Sequence, residues 1–216
     1  MKLKSEWLSQ LLKILLGILC VFAATDLVCS VAYAIDYDFF VDSLYSLYGF
    51  VEILSSIVYY VVLVLFLIWI YRVHMDLNRL FLAYPRTPGG SLAAMMIPFY
   101  NFYGIPSTFR IIGSITQDDS EEARVPGRWI FGLAAPLLFF QFGTNLLNRF
   151  VSNADQIGSG LLLASSAAQL VLYGIYFALA LQISRGLRIV ADGQEEKAAQ
   201  ADFLPGDSSS TVQAEG

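Results

Sequence analysis

Four apolar runs constrain this chain more than any other feature, because each can cross a hydrocarbon layer of about 30 Å, for which about 20 apolar residues suffice. They are read as spans over residues 14–35, 50–72, 129–150 and 158–184. Lipid offers backbone N–H and C=O groups no partners, so segments of this kind must be helices. Hydrophobic residues make up 56% of the chain and charged residues 14%, which leaves too little polar surface for a soluble domain. The expected fold is all-α, a polytopic membrane protein of four transmembrane helices.

A fifth window complicates the count. Between Arg86 and Arg110 lie 23 residues without a charge, and hydropathy alone makes this window another span. It contains Ile97-Pro98-Phe99-Tyr100-Asn101-Phe102-Tyr103-Gly104-Ile105-Pro106, in which two prolines remove backbone donors. Residues 91–116 are therefore expected to form a proline-broken helical segment that is interfacial or re-entrant. Ser91 is read as the cap of a short helix through Met96, and a second short helix is expected over 107–116. The second span is expected to run on as helix to Tyr84-Pro85.

Positive charge decides between four crossings and five. With four, Lys2, Lys4, Lys13, Arg72, Arg79, Arg86, Arg110, Arg124, Arg128, Arg185, Arg188 and Lys197 share the cytoplasmic side, and only Arg149 lies outside. A fifth crossing would export six of them, against the positive-inside bias. Both termini are accordingly expected in the cytoplasm. The first outer loop, with Asp36, Asp38 and Asp42 and no basic residue, fits the same arrangement.

The three lysines before the first run and the Ala32-Tyr33-Ala34 sequence invite a signal-peptide reading. The run is long for that and carries Asp26, so residues 1–13 are read as a cytoplasmic N-terminus, 14–187 as the membrane domain and 188–216 as a disordered acidic tail. Cys20 and Cys29 are about 13 Å apart along one helix, too far to bridge. No spacing suits a metal, and no cofactor is implied.

Trp69-Ile70-Tyr71-Arg72, then Asn78, Pro88-Gly89-Gly90 and Ile97-Pro98-Phe99-Tyr100-Asn101-Phe102-Tyr103, together resemble a bacterial four-span membrane family known only as a domain of unknown function. Its pattern is a tryptophan-x-x-arginine end to the second span followed by a proline-x-x-asparagine-aromatic segment. The resemblance covers roughly residues 50–188. It implies the four-span architecture and a bacterial inner-membrane location, and carries no activity.

Trp69 and Arg72 are expected at the inner interface, the indole at headgroup depth and the guanidinium reaching phosphate or helix carbonyls. Arg72 is also read as a clamp, through Asn78 or the carbonyls freed around Pro98 and Asn101, that holds the broken segment on the second helix. Asn101 can bond backbone groups left unpaired near Pro98 and Pro106. His74, the one histidine, is expected to be solvated or interfacial.

Aligning the four spans by depth brings polar residues of every helix to one level in the outer half. Asp26 and Ser30 come from the first, Glu52, Ser55, Ser56 and Tyr59 from the second, Gln141, Thr144, Asn145 and Asn148 from the third, and Ser165, Ser166 and Gln169 from the fourth. Gln141, Asn145 and Asn148 share a face at i, i+4 and i+7. An ionisable Asp26 inside a membrane is costly unless paired, protonated or wet, which makes it a functional candidate. Interhelical hydrogen bonding explains such residues as well, at about 0.6 kcal/mol per contact. Gly160, Ala164 and Ala168 form a small-residue stripe that suits packing in the bundle or between subunits equally.

No nucleophile elbow, phosphate loop, zincin motif or dinucleotide fingerprint occurs, and the net charge of −5 speaks against nucleic acid. The expectation is a non-enzymatic scaffold or regulatory protein of the cell membrane, working through lipid and helix contacts with a membrane-protein partner or a second copy. The alternative is a small transporter or channel-like protein, with a polar outer-half cavity formed by Asp26, Glu52, Gln141, Asn145, Asn148 and Gln169.

Overall fold

The structure, a computed structural model, describes residues 3–153 and 158–203. Helix α1 (Glu6–Ile35) stops where Asp36 turns extended, at φ −144° and ψ 100°. The Asp36 carboxylate then accepts Phe39 N–H at 3.0 Å, starting α2 (Tyr37–Phe39), and one π-helical turn over Phe40–Leu44 leads into α3 (Tyr45–Leu80). Phe40 is buried there with its ring edge-on to Tyr33 and Tyr48. The chain therefore reverses at this end around an aromatic plug.

At the opposite end α3 terminates at Leu80, because Phe81 goes extended. Helix α4 (Pro88–Met96) begins with proline in its first turn, and Thr87 Oγ1 accepts Gly90 N–H at 3.1 Å. Proline costs nothing at a position whose N–H has no helical partner. The cap is thus Thr87, while Ser91, expected in that role, is buried and donates to Pro88 O. After a turn over residues 97–100, in which Phe99 takes a φ of 64°, α5 (Asn101–Asp119) runs without interruption through Pro106.

The break therefore lies at Pro98 alone. Pro106 sits in the second turn, where it forfeits one backbone bond, and neighbouring Ser107 and Thr108 hydroxyls both donate to Gly104 O. Ser120 Oγ accepts Ala123 N–H at 3.2 Å and starts α6 (Glu121–Asn153), which has Glu121 and Glu122 in its first turn, where carboxylates favour the helix dipole. Helix α7 (Ser159–Phe203) is the longest element.

Two further expectations need correction. Residues 188–203, read as part of a disordered tail, continue α7, because Val190 and Ala191 stay buried and Gln194 Nε2 donates to Leu80 O at 2.7 Å. Residues 204–216 lie outside the described residues. The second span's helix also stops short of Tyr84, since Phe81 leaves the helical region four residues before Pro85.

Four helical stretches are long and apolar enough to cross a membrane: Glu6–Ile35, Tyr37–Leu80, Glu121–Asn153 and Ser159–Gln200. Only 22–28% of each apolar window is buried inside the bundle, so most of its apolar side chains face outward, as a lipid-facing surface requires. The proline-containing window is not among the four. It folds back on itself instead, α4 packing on α3 and α5 on α6. Gly104 lets the two arms meet, since any Cβ there would overlap Ala94 O. Gly113 does the same between α5 and α6, where a Cβ would stand 2.6 Å from Phe131 N.

The packing order explains the shape. Helix α1 lies against α3 and α7, α7 against α6, and α6 against α5, while among the described residues α3 and α6 make no close approach. The α4–α5 hairpin occupies the space between them at one end, here the basal end, where α1 begins and α3 ends. A core of Leu12, Leu16, Trp69, Ile70, Phe109, Ile112, Leu179 and Ile183 fills this part. The hairpin tip climbs until Phe102 stacks on Phe142, with centroids 3.9 Å apart and planes at 10°. Phe142 is about 32 Å along α6 from Glu121, at the rise of a helix.

Candidate functional site

Beyond the hairpin tip, where α3 and α6 make no close approach among the described residues, the distal half of the bundle holds a cavity of about 440 Å³. Its wall takes residues from all four long helices. Asp26, Glu52, Gln141, Asn145, Asn148 and Gln169, the six candidates from sequence, all line it. Ser55, Ser56, Tyr59, Thr144, Ser165 and Ser166 join them. Asp26, Glu52 and Ser166 thus border one cavity. No Lys, Arg or His is among the lining residues.

Much of the polar wall is tied in place by bonds between helices. Ser30 and Ser166 hydroxyls are 2.7 Å apart across α1 and α7. Ser165 Oγ donates to Asn148 Oδ1 at 2.8 Å, and Tyr176 OH to Gln141 Oε1 at 2.8 Å, both across α6 and α7. Gln169 Nε2 donates to Tyr173 OH at 3.0 Å. Among the described residues no such bond ties α3 to α6 and the two helices make no close approach, which leaves that side of the cavity open. Glu52, Tyr60 and Asn145 are exposed along it.

Sequence reasoning overlooked the aromatic share of this wall. Tyr48, Tyr60 and Tyr173 also face the cavity, and Tyr59 and Tyr173 border a smaller apolar pocket of about 70 Å³ with Leu63, Phe66, Leu172 and Tyr176. Tyrosines scattered through apolar spans carry no periodic signal. Position relative to the polar residues was the only available clue, since Tyr48 and Tyr59 flank Glu52 on the second span and Tyr173 follows Gln169 by one turn on the fourth.

The basal motif is assembled differently from the expectation. Trp69 is fully buried in the core, so it is no interfacial anchor, and its Nε1 has no hydrogen-bond partner. Arg72 donates to Lys4 O at 3.3 Å and so faces α1, away from the hairpin. The side chain that holds the hairpin is Arg86, which donates to Gly104 O at 3.4 Å, to Ser107 Oγ at 3.0 Å and to Thr108 Oγ1. Asn78 Nδ2 fixes the base of that turn by donating to His74 O at 2.7 Å and Arg86 O at 2.9 Å. Asn101 opens α5 just after Pro98, and its Oδ1 is buried without a partner.

His74 is completely buried, contrary to the solvated placement expected, because the chain segment after α3 folds over it. Its Nδ1 is 2.8 Å from Ile70 O, its Nε2 has no partner, and its ring lies edge-on to Tyr84, 5.6 Å between centroids. The Tyr84 hydroxyl is buried without a partner too, and burial pushes its pKa above the ordinary value. Cys20 and Cys29 are free thiols. Gly160 has open space around it and Ala164 is exposed, so this end of the small-residue stripe is not used within the bundle. Among the described residues no group of three metal-ligating side chains converges.

Comparison with protein-family models, curated protein sequences and solved structures finds no match for this chain.

Proposed function

We propose that this chain is a small solute-binding protein of a bacterial inner membrane, built like a transporter, with its cavity opening to the outside. The observation that carries this reading is the gap between α3 and α6, filled by the hairpin at the basal end and left as a cavity of about 440 Å³ at the distal end. A volume of about 300–1,000 Å³ is usual for small-molecule sites. Packing alone would favour closing such a gap with apolar side chains, so a polar cavity speaks for binding over a pure scaffold.

The orientation rests on charge. Among the described residues the basal end carries every basic residue except Arg149, and it is assigned to the cytoplasm, where both termini are proposed to lie. The hairpin then enters the membrane from the cytoplasmic side and turns back about midway, at the level of Phe142. Arg110 lies over the Phe131 ring, 5.8 Å from its centroid, and suits the headgroup level. Phe102 is eight residues above Arg110 and stacks on Phe142, which lies about 20 Å along α6 from Trp129 by helical rise, short of a crossing of about 30 Å. Exposed Ile97, Phe99 and Tyr103 at the tip meet acyl chains in this arrangement.

Cysteine accessibility tests the reading in a Cys20→Ser, Cys29→Ser background. A membrane-impermeant maleimide added to intact cells is expected to label Ser56→Cys, in the cavity wall, and to reach Ser120→Cys only after permeabilisation. Phe99→Cys is expected to resist both. Labelling of Ser120→Cys from outside would refute the topology, and protection of Ser56→Cys would refute an outward cavity.

A further inference from the structure

Resting on that reading, we infer that the cavity takes an amphipathic organic cation, an ammonium head with a short apolar tail, entering sideways from the outer leaflet between α3 and α6. Three independent features of the wall define this ligand. Its polar part carries two carboxylates, Asp26 and Glu52, and no basic side chain, so a cation is favoured and an anion repelled. Rings of Tyr48, Tyr59, Tyr60 and Tyr173 border the same space, and tyrosine faces attract ammonium groups more strongly where water is excluded.

The apolar pocket of about 70 Å³ adjoins the cavity, sharing Tyr59, Gln141, Leu172 and Tyr173 with it. Its remaining walls include Leu16, Leu19, Val62 and Leu63, which offer nothing to a charge and a dry seat to methylene groups. A purely polar cation would leave this pocket empty. An amphiphile fills both lobes, head beside Asp26 and tail beneath Tyr59 and Tyr173.

The entry route follows from the packing order. Bonds between α1 and α7 and between α6 and α7 close those seams, whereas α3 and α6 do not meet. Glu52 and Tyr60 stand exposed on one margin of the opening and Asn145 on the other. A ligand dissolved in the outer leaflet reaches Asp26 through this opening without crossing the bundle.

Equilibrium binding to the full chain in lipid nanodiscs tests the inference, with empty nanodiscs as blank. The probe is radiolabelled hexyltrimethylammonium, and tetramethylammonium and hexanoate compete for it. Hexyltrimethylammonium is expected to bind at least tenfold more tightly than tetramethylammonium, and hexanoate not to compete. Asp26→Asn is expected to weaken binding at least tenfold, and Glu52→Gln, at the rim where folding is not at stake, about threefold or more. Hexanoate competing as well as the ammonium would overturn the cation assignment while leaving a solute cavity standing. Saturable binding with no gain from the hexyl chain would overturn the amphiphile. No saturable binding by any probe overturns this ligand class, and maleimide labelling of Ser56→Cys then judges the cavity separately.

Discussion

The carboxylate of Asp76, near the end of α3, accepts the backbone N–H of Ser5, just before α1, at 2.9 Å. It also accepts Lys4 N–H at 3.1 Å. The first N–H groups of a helix have no partners of their own, and Ser5 makes no side-chain cap. A residue 71 positions away does that work, so α1 starts where α3 permits. Asp76 is 1% exposed, and hydrogen bonds to a charged acceptor are each worth about 1.5–3 kcal/mol. Asp76→Ala is expected to lower stability by about 2–3 kcal/mol, read as the melting temperature of the detergent-solubilised protein. Asp76→Asn should lose less, because one acceptor oxygen remains.

Arg86 binds the hairpin to the turn after α3 through Gly104 O, Ser107 and Thr108. Arg86→Ala is expected to free the arms and expose the segment between Arg79 and Arg110 to limited proteolysis. Arg86→Lys should restore only part of the protection, because an ammonium does not reproduce the guanidinium fork. A digestion pattern unchanged in both variants would mean that the α3–α4 and α5–α6 packing suffices.

Two glycines of one helical pair should respond with opposite sign. Gly113 faces the α6 backbone, where a Cβ would come 2.6 Å from Phe131 N and 2.8 Å from Gly127 O. Gly113→Ala is expected to cost about 1–3 kcal/mol by overpacking. Gly132 on α6 has nothing within 4 Å, and Gly132→Ala should gain up to about 1 kcal/mol from helix propensity. Thermal melts of the two variants side by side check the contrast.

The unpartnered Tyr84 hydroxyl gives a further sign test. Tyr84→Phe keeps the ring against His74 and removes a buried group that nothing satisfies, so stability is expected to stay level or rise, by up to about 1 kcal/mol. A fall of the melting temperature beyond error would show that the hydroxyl is satisfied after all, with His74 Nε2 as the neighbour in question.

Ser30 and Ser166 bond across α1 and α7 at 2.7 Å. In a double-mutant cycle with alanine their coupling is expected near 0.6 kcal/mol, the average for such pairs in membrane proteins. A coupling near zero would mean that each hydroxyl finds a second partner as good as the first.

The distal site was more legible in the sequence than the basal one, for a physical reason. In an apolar span a carboxylate or amide stands out, and depth is nearly linear in residue number, so Asp26, Asn145 and Gln169 could be brought to one level by counting. At the basal end helices extend past their apolar windows, and position depends on which neighbour they meet. Nothing local says that Asp76 caps α1, that Arg86 holds the hairpin where Arg72 was expected, or that the turn after α3 buries His74. Likewise Gln194 and Val190 look like tail residues until Leu80 supplies a carbonyl and a surface.

Helix α7 is a single rod. It carries Ser165, Ser166 and Gln169 into the cavity wall and, about 38 Å further along by helical rise, lays Gln194 against the end of α3. No proline interrupts the stretch between. A rigid-body tilt of α7 that widened the cavity would move the basal end in the opposite sense, about the buried contacts of Leu179, Ala180 and Ile183 that lie between the two ends.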